Sequence, residues 1–456
     1  MNDSGCIGVM LTGLENPVWA LARKYHLQNT YSNYSSILTY NETGYTDYRH
    51  LLDLYSNIST TAGEEAGRIL TENLQDQTAR TGLAVAGWRP RKDDMAAQAV
   101  EWWSWGRKDC SLGWVYGVLT QTDWEDSFSP ETSSFVFGVA GENLTFNQFG
   151  DANNLVIDPR GYRSIITGEA STFLQHNDPR LRLNAHITDV EYGPHGVTVH
   201  NEDGSCVTAA YAICTFSLGV LQNQAVNFSP ELPHWKRTAI HKFNMGTYTK
   251  IFMQFNETFW PEDTQYFLYA SPTTRGYYPV FQSLSTESFL PGSNILFVTV
   301  VAEEAYRVEL QSDTQTKDEV LAVLRQMFPD KSIPEPLAFT YPRWTTEPWS
   351  FGSYSNWPAG TTLEMHQNLR ANTDRLWFAG EATSAPYFGF LHGAWFEGQE
   401  TGEQVAALLQ GRCANETGVK GCGGRVHYDP LHGTTPEGAY DNLNGWPVDS
   451  VTVGGD

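Results

Sequence analysis

One lysine lies in a segment that alternates as a β-strand does. The run Tyr248-Thr249-Lys250-Ile251-Phe252 places Tyr248, Lys250 and Phe252 on one face, because successive side chains of a strand point to opposite faces. An ammonium group between aromatic neighbours is shielded from water, and a desolvated ammonium can help to steer proton transfer. The alternative interpretation is a solvated lysine on an edge strand.

A second segment has the layout of a strand, a glycine turn and a helix. A short apolar run ends at Gly380, and a helical pattern interrupted by glycines extends from Phe390 to Leu409. Backbone amides at the start of such a helix can receive an anionic group, such as a pyrophosphate or a flavin ring oxygen. Small residues at Gly389 and Gly393 would let a flat ring approach the backbone. Equally, these glycines could serve only to allow tight helix packing.

Composition and charge limit the class of protein. The chain has 456 residues, of which 41% are hydrophobic and 13% aromatic, enough apolar surface for a large folded core. With 29 Lys and Arg against 52 Asp and Glu, the formal charge is −23, the wrong sign for a protein that binds nucleic acid or an anionic membrane. Such a charge attracts small cations instead. No apolar run approaches the ~18 residues of a membrane span.

The cellular compartment stays open at this stage. Met1–Leu11 lacks the pattern of a signal peptide, although Asn-x-Ser/Thr acceptors suggest a secretory surface or arise by chance. Cys413 and Cys422 are close enough in sequence for a local disulfide, whereas Cys214 reads as a buried small residue. The acceptors are Asn2, Asn33, Asn41, Asn57, Asn143, Asn227, Asn256 and Asn415.

Local patterns indicate a mixed α and β protein without internal repeats. The stretch from Leu181 predicts a β-meander whose last strand, Ala209 to Thr215, should be buried on both faces. Strands are also predicted at Tyr248 to Phe255 and Asn294 to Ala302. A helix is predicted over Thr316 to Phe328, with Ser312 and Asp313 as capping candidates.

Four ordered motifs resemble those of the FAD-dependent amine oxidases, most closely the polyamine oxidases of fungi and plants. The resemblance extends from about Glu15 to Leu409 and implies FAD as cofactor and a small cationic amine and O2 as reactants. It implies oxidation of an amine carbon of spermine or spermidine by hydride transfer to flavin N5, with release of an imine and H2O2. The motifs are DPRGYRSIITG (Asp158–Gly168), GTYTKIFMQF (Gly246–Phe255), GSYSNWPAGT (Gly352–Thr361) and WFAGEATSAPYFGFLHGAWFEG (Trp377–Gly398).

The sequence departs from this family at two places. The family begins with a strand, a G-x-G-x-x-G turn and a helix that hold the FAD pyrophosphate, whereas the glycines of Gly5 to Gly13 lack that spacing and a preceding strand. The segment Gly106 to Gln121 is an extra loop. We therefore expect a fragment in which 1–13 and 106–121 reflect irregularities of splicing or of the gene model.

The resemblance assigns roles around the amine. It places Lys250 where the family holds a water next to flavin N5, and Tyr248 on the wall of the substrate cavity. Phe390, a tyrosine in plant relatives, and Tyr354 would sandwich the substrate amine. Glu125 would hold a distal ammonium. Ordinary core packing is the competing explanation for Tyr354.

The resemblance also assigns contacts with FAD. Glu381 would meet the ribityl-pyrophosphate region beside Gly380 and Thr383, and Gly389 would allow the ring to approach. Trp344 and Ser350 would contact the flavin, although a structural tryptophan is equally compatible with the pattern. The backbone of Ile187 would meet the adenine. His241 and His392 are isolated and are expected to be structural, and no metal-ligand spacing occurs.

The implied fold class is mixed α/β with two interleaved domains, a truncated Rossmann-like FAD domain and a substrate domain of mixed sheet and helices. Segment 1–13 is unmatched, 14–157 begins the substrate domain, and 158–229 belongs to the FAD domain. Segment 230–350 completes the substrate domain, 351–411 completes the FAD domain, and 412–456 is expected to be a loose tail. The sequence does not determine the oligomeric state.

Two alternatives in function stay open. The chain could be an inactive, amine-oxidase-like fragment that cannot hold FAD, because the phosphate-binding segment is missing. It could also be a monoamine or L-amino acid oxidase, whose substrates need different pocket residues.

Overall fold

The computed structural model describes residues 15–71, 74–103, 127–142, 149, 154–412 and 424–427. Within these residues the helices are α1 (Pro17–Lys24), α2 (Arg49–Thr71), α3 (Ala79–Ala86), α4 (Met95–Trp103), α5 (Phe135–Glu142), α6 (Arg163–Ser171), α7 (Leu218–Gln222), α8 (His234–Lys242), α9 (Ala302–Glu309), α10 (Asp313–Met327), α11 (Leu363–Arg370) and α12 (Leu391–Leu409). Short 3-10 turns lie at Trp344–Thr346 and Glu381–Thr383.

The strands in the same residues are β1 (Asn29–Tyr31), β2 (Ile37–Asn41), β3 (Gly44–Tyr45), β4 (Asn154–Val156), β5 (Ile187–Gly193), β6 (Gly196–Asn201), β7 (Cys206–Ala209), β8 (Ala212–Cys214), β9 (Asn227–Ser229), β10 (Asn244–Met245), β11 (Tyr248–Gln254), β12 (Tyr266–Tyr269), β13 (Val280–Ser283), β14 (Ile295–Val301), β15 (Ala338–Thr340), β16 (Ser355–Asn356) and β17 (Leu376–Phe378). The mixed α and β class expected from the sequence is confirmed.

A seven-stranded sheet carries the lysine strand. Its order is β15-β11-β14-β13-β12-β2-β3, and all its pairs are antiparallel except β12 with β2. Strand β14 has the sequence ILFVTVV, whose β-branched residues suit a central strand buried on both faces. It pairs with β11 so that Lys250 lies opposite Thr299.

This sheet separates two apolar clusters. Ile251 and Met253 pack towards α10, whereas Tyr248 belongs to the cluster formed with α2, α4 and α5. Because side chains alternate along β11, Lys250 shares the face of Tyr248, as the sequence predicted. The sheet therefore presents Lys250 on the side opposite α10.

Helix α10 shows how local sequence sets an element. Ser312 caps it by accepting a hydrogen bond from the Gln315 amide (3.2 Å), and the helix buries a stripe that includes Val320 and Leu324. It ends at Met327, two residues before Pro329, which cannot continue a helix. The predicted helix and its cap are confirmed.

The predicted meander is correct at its turns and wrong at its last strand. β5, β6 and β7 form antiparallel pairs in a sheet of order β7-β6-β5-β9, and β5 and β6 join at the Gly193–Gly196 turn. The expected continuous strand Ala209–Thr215 is broken. β7 ends at Ala209, and β8 instead pairs in parallel with β17, with Ile213 38% exposed. The apolar pattern did not reveal this change of sheet, because it resembles one buried strand.

Two side chains of the expected loose tail, those of Arg425 and His427, contact the rest of the fold. The ring of His427 stacks on Trp235 with centroids 4.7 Å apart, and Arg425 is 5% exposed. The buried carboxylate of Glu397 provides a partner for Arg425, and the expected looseness of the tail as a whole stays a prediction. The other domain boundaries stay predictions, and the segments 1–13 and 106–121, together with Cys413 and Cys422, lie outside the described residues.

Two kinds of feature are absent from the described residues. None of their helices has the length and hydropathy needed to cross a membrane. In the same part of the chain, no group of three His, Cys, Asp or Glu residues is placed to hold a metal ion.

Candidate active site

The segment Gly352–Asn356 connects the lysine strand to the glycine turn. The Tyr248 amide donates to Ser353 Oγ (2.9 Å), and the Gly246 amide donates to the Tyr354 carbonyl (2.8 Å). These bonds hold the rings of Tyr248 and Tyr354 with centroids 5.9 Å apart and planes inclined by 49°. Two buried aromatic residues predicted to meet the substrate are thus adjacent.

Lys250 lies beside aromatic rings, as its strand pattern predicted. Its Nζ is 5.6 Å from the ring centroid of Tyr248 and 5.4 Å from that of Phe297, within the range of a cation–π contact. The side chain is partly exposed. On the adjacent strand, the buried Oγ1 of Thr299 has no hydrogen-bond partner within the described chain. The hydroxyl group of Thr299 can therefore form a hydrogen bond on the face of the sheet that carries Lys250.

Glu381 organises the turn that precedes α12. Its Oε2 accepts hydrogen bonds from Ser355 Oγ and from the Gly389 amide, both at 2.6 Å, and its Oε1 accepts one from the Ser355 amide (3.1 Å). The residue as a whole is partly buried. Desolvation by the surrounding protein raises its pKa, while these three donors act in the opposite direction. Glu381 thus fixes the turn and also presents an oxygen to the site.

Gly389 is required by its conformation and its surroundings. Its φ is +80°, in the left-handed region, and a Cβ there would lie 3.3 Å from Tyr354 Cδ2. Next along the chain, Phe390 stacks on His392, with centroids 5.2 Å apart. The predicted sandwich of an amine between Phe390 and Tyr354 stays a prediction.

Trp344 and Ser350 lie in one turn, which a buried acid attaches to the sheet. Ser350 Oγ is 3.4 Å from the Trp344 carbonyl, and the Ser350 carbonyl accepts a hydrogen bond from Ser217 Oγ (2.6 Å). Glu309, 3% exposed, accepts from the Thr345 amide (2.9 Å) and from Thr249 Oγ1 on β11 (2.5 Å). Both predicted flavin contacts are thus tied to the lysine strand.

The remaining predicted residues are placed elsewhere or outside the description. Thr383 and Gly380 share the turn of Glu381, where Thr383 Oγ1 lies 2.9 Å from the Gly380 carbonyl. Ile187 begins β5 in the separate four-stranded sheet, where it pairs with Asn201. Glu125 lies outside the described residues.

The sequence profile described as "Flavin containing amine oxidoreductase" matches residues 8–406 of the chain. The chain belongs to this family. The family is flavin-containing, as the motifs implied.

The relatives of this flavin amine oxidoreductase include proteins named polyamine oxidase and lysine-specific histone demethylase. It is 44% identical over 275 residues to polyamine oxidase 1 of Zea mays, an alignment covering 58% of this chain and 54% of that protein. It is 30% identical over 331 residues to lysine-specific histone demethylase 1 homolog 3 of Oryza sativa subsp. japonica, covering 69% and 40% of the two chains. The chain spans about half the length of the curated polyamine oxidases that it matches.

A solved structure shares the fold. Putrescine oxidase bound to putrescine superposes with a TM-score of 0.63 at 14% identity, covering 88% of this chain and 87% of that one. At this identity the likeness establishes the fold alone. The expected fold of a flavin amine oxidase is confirmed.

The residues of this family member fit the flavin-bearing end of FAD. Glu381 Oε1 has one donor within the described chain, so it has the capacity for a further hydrogen bond such as one from a hydroxyl of the ribityl chain. The pyrophosphate end is different, because the printed sequence contains no G-x-G-x-x-G turn. The described residues therefore offer an acceptor suited to one end of the cofactor, and their contacts with FAD stay a prediction.

Sequence reasoning missed four residues that build this site. Ser355 holds Glu381, Glu309 holds the Trp344 turn, and Ser127 Oγ donates to the Tyr354 hydroxyl (2.5 Å). Gly246 allows the last contact, since a Cβ there would lie 2.7 Å from Ser127 Cβ. Ser355 and Gly246 fall inside the motifs and could have been suspected, whereas Glu309 and Ser127 carry no local signal.

Proposed function

We propose that this flavin amine oxidoreductase oxidises the secondary amine of a polyamine, with FAD as cofactor and O2 as the final oxidant. One observation carries the proposal. The segment Ser353–Ser355 joins Tyr248, Tyr354 and the Glu381–Gly389 turn into a single hydrogen-bonded site, with Lys250 on the face of Tyr248. The sequence alone had assigned these residues to amine and flavin.

The aromatic residues would bind and orient the amine. The π faces of Tyr248 and Tyr354 attract a cation and exclude water from the carbon to be oxidised. Ser127 fixes the orientation of the Tyr354 ring through its hydroxyl. The formal charge of −23 draws polyamines towards the protein as a whole.

The polar residues would hold the cofactor and move protons. FAD, when bound, supplies a hydride acceptor at N5, and its reoxidation by O2 gives H2O2. Glu381 would accept a ribityl hydroxyl, with Gly380, Thr383 and Gly389 shaping the turn around it. The ammonium group of Lys250 would hold a water and transfer a proton to or from it.

The first experiment is to purify the chain with added FAD and record its visible spectrum. Absorption bands at about 380 and 450 nm would show oxidised flavin in the protein. Peroxide release is then measured with spermine, spermidine, putrescine, benzylamine, L-amino acids and a methyl-lysine peptide. Preference for spermine or spermidine supports the proposal, whereas turnover restricted to benzylamine or amino acids favours a monoamine or L-amino acid oxidase.

A second candidate function is an inactive chain that cannot hold FAD. The observation that favours it is the two-stranded parallel sheet of β8 and β17, in which Ile213 is 38% exposed. Parallel strands are normally buried within larger, helix-covered sheets, so this part of a cofactor domain lacks its usual cover within the described residues. A colourless protein after incubation with FAD would support this candidate and contradict the first.

We further propose that the protein passes through the secretory pathway. Asn33, Asn57, Asn227 and Asn256 are exposed, so a glycosyltransferase could reach four of the sequence acceptors. Asn2, Asn143 and Asn415 lie outside the described residues. Expression in a eukaryotic host, followed by enzymatic deglycosylation, should shift the mass of the chain. An unchanged mass would contradict this localisation.

A further inference from the structure

Arg425, in the C-terminal segment Gly424–His427, has its side chain buried against β17 and α12, the strand and helix that flank the glycine turn. The side chain of Arg425 is 5% exposed, and the ring of His427, two residues further on, stacks on Trp235 of α8. An arginine is almost never buried without partners that repay its desolvation. The partners of Arg425 therefore show what this segment does.

The guanidinium group contacts the strand β17 and the helix α12. These two elements flank the turn Gly380–Thr383, which we call the cofactor turn. Its Nη1 donates to the Phe378 carbonyl (3.1 Å), at the last residue of β17, and lies 3.0 Å from Glu397 Oε2 on α12. Its Nη2 donates to Thr401 Oγ1 (2.5 Å), one turn further along the same helix. One side chain thus joins β17 to α12 across the turn that links them.

The same carboxylate oxygen also reaches the turn itself. Thr383 Oγ1 lies 3.1 Å from Glu397 Oε2, and its alternative acceptor is the Gly380 carbonyl at 2.9 Å. Glu397 is therefore placed between Arg425 on one side and the Gly380–Thr383 turn on the other. A shift of its carboxylate would be felt at Thr383.

Charge balance makes the position of Glu397 depend on Arg425. Arg370 lies 2.8 Å from Glu397 and 2.7 Å from Glu400, so Arg370 alone faces two carboxylates. Arg425 brings the group to two cations and two anions. Without Arg425, two carboxylates would share Arg370. One of them, Glu397, has a side chain that is only 5% exposed, so water could not solvate its charge.

We propose that Arg425 is a positioning residue for the cofactor turn, and that the C-terminal segment Gly424–His427 is thereby part of the FAD site. The guanidinium group fixes Glu397, Glu397 holds Thr383, and the turn presents Glu381 and its glycines to the cofactor. This inference rests on the proposed function for the identity of the ligand. The coupling of Arg425 to the turn is independent of it.

The test compares Arg425→Met with His427→Ala, a matched control that weakens docking of the same segment without touching Glu397. Hydrogen exchange of the apo full-length chain is followed at the amides of Gly380–Ser384, and the FAD dissociation constant is measured by flavin fluorescence. We expect Arg425→Met to raise exchange in the turn and the FAD dissociation constant by about tenfold or more, the equivalent of about one charge-assisted hydrogen bond. His427→Ala should change each much less.

Two further variants separate positioning from a general loss of folding. Arg425→Lys keeps the charge and should rescue part of the FAD affinity, and Arg425→Met with Glu397→Gln removes the unbalanced anion while keeping an acceptor for Thr383. Exchange at the turn that is unchanged in Arg425→Met, or raised equally in His427→Ala, would overturn the proposal. If the unmodified chain binds no FAD, the proposed function fails, while the exchange measurement still decides the coupling.

Discussion

The hydrogen bond between Ser355 and Glu381 can be tested by a substitution that removes a single hydroxyl group. Ser355→Ala removes the 2.6 Å donor to Glu381 Oε2 and leaves the Ser355 amide in place. Hydrogen bonds to a charged group contribute about 1.5–3 kcal/mol, so we expect the free energy of unfolding to fall by about 2 kcal/mol at a pH where Glu381 is ionised. Urea unfolding of the full chain measures this change.

Ser59→Ala is the matched control. Ser59 is 1% exposed and Ser355 is 3% exposed, but Ser59 Oγ donates to a neutral carbonyl, that of Tyr55, at 2.9 Å. A neutral hydrogen bond contributes about 0.5–1.5 kcal/mol, and alanine is the better helix former at this site in α2. We therefore expect Ser59→Ala to cost less than about 1 kcal/mol.

The pH dependence gives the sharper test. Burial raises the pKa of Glu381 above its ordinary value of 4.5, so its contribution to stability is complete below that value and is lost as pH rises through the folded pKa. Removing a donor to the ionised form raises that pKa further. The cost of Ser355→Ala should hence grow as pH rises through the folded pKa of Glu381 and fall, below that pKa, towards the cost of losing a neutral hydrogen bond. A cost that is independent of pH, or equal to that of Ser59→Ala, would refute the assignment.

Three further outcomes are expected. Lys250→Met should lower peroxide formation by about 100-fold while bound flavin is retained, with Lys250→Arg as the control that keeps the charge, and unchanged turnover would contradict a role in proton transfer. Tyr354→Leu should raise the KM for spermine by about tenfold with a smaller change in kcat, since it removes a π face and keeps apolar volume; an unchanged KM would count against amine binding there. Burial lowers the pKa of His392 to about 3 from 6.5, so its contribution to stability, at most about 5 kcal/mol, is present above about pH 6.5 and is lost as pH falls to about 3. His392→Gln should flatten stability against pH over that range, and an unchanged slope in acid unfolding would show that His392 is not the group that titrates.

Local patterns predicted those parts of the fold that depend on near neighbours. The alternation around Lys250 placed it on the face of Tyr248, and the capping residue Ser312 predicted the start of α10. The same patterns failed at Ala209–Thr215, because a run of small and apolar residues does not show that the chain leaves one sheet for another. They also missed the packing of Arg425, whose partners lie far away in sequence.

The candidate site was predicted in its members and missed in its connections. The motifs supplied Tyr248, Tyr354, Glu381 and Gly389, and the structure brings these four together. The motifs could not supply Glu309. In the sequence it is a glutamate at the end of the amphipathic helix α9, and only the folded structure brings it into contact with β11 and the Trp344 turn.

By itself, the sequence determined the mixed class, the family, the strand that carries Lys250 and the glycine turn, since each depends on residue types at short spacing. The tertiary structure alone decided that Ser355 holds Glu381, that Glu309 connects two distant segments and that Arg425 balances the charge beside Glu397. The physical reason is that a buried polar group must find a partner wherever the folded chain provides one. That choice depends on the path of the whole backbone, so no local periodicity encodes it.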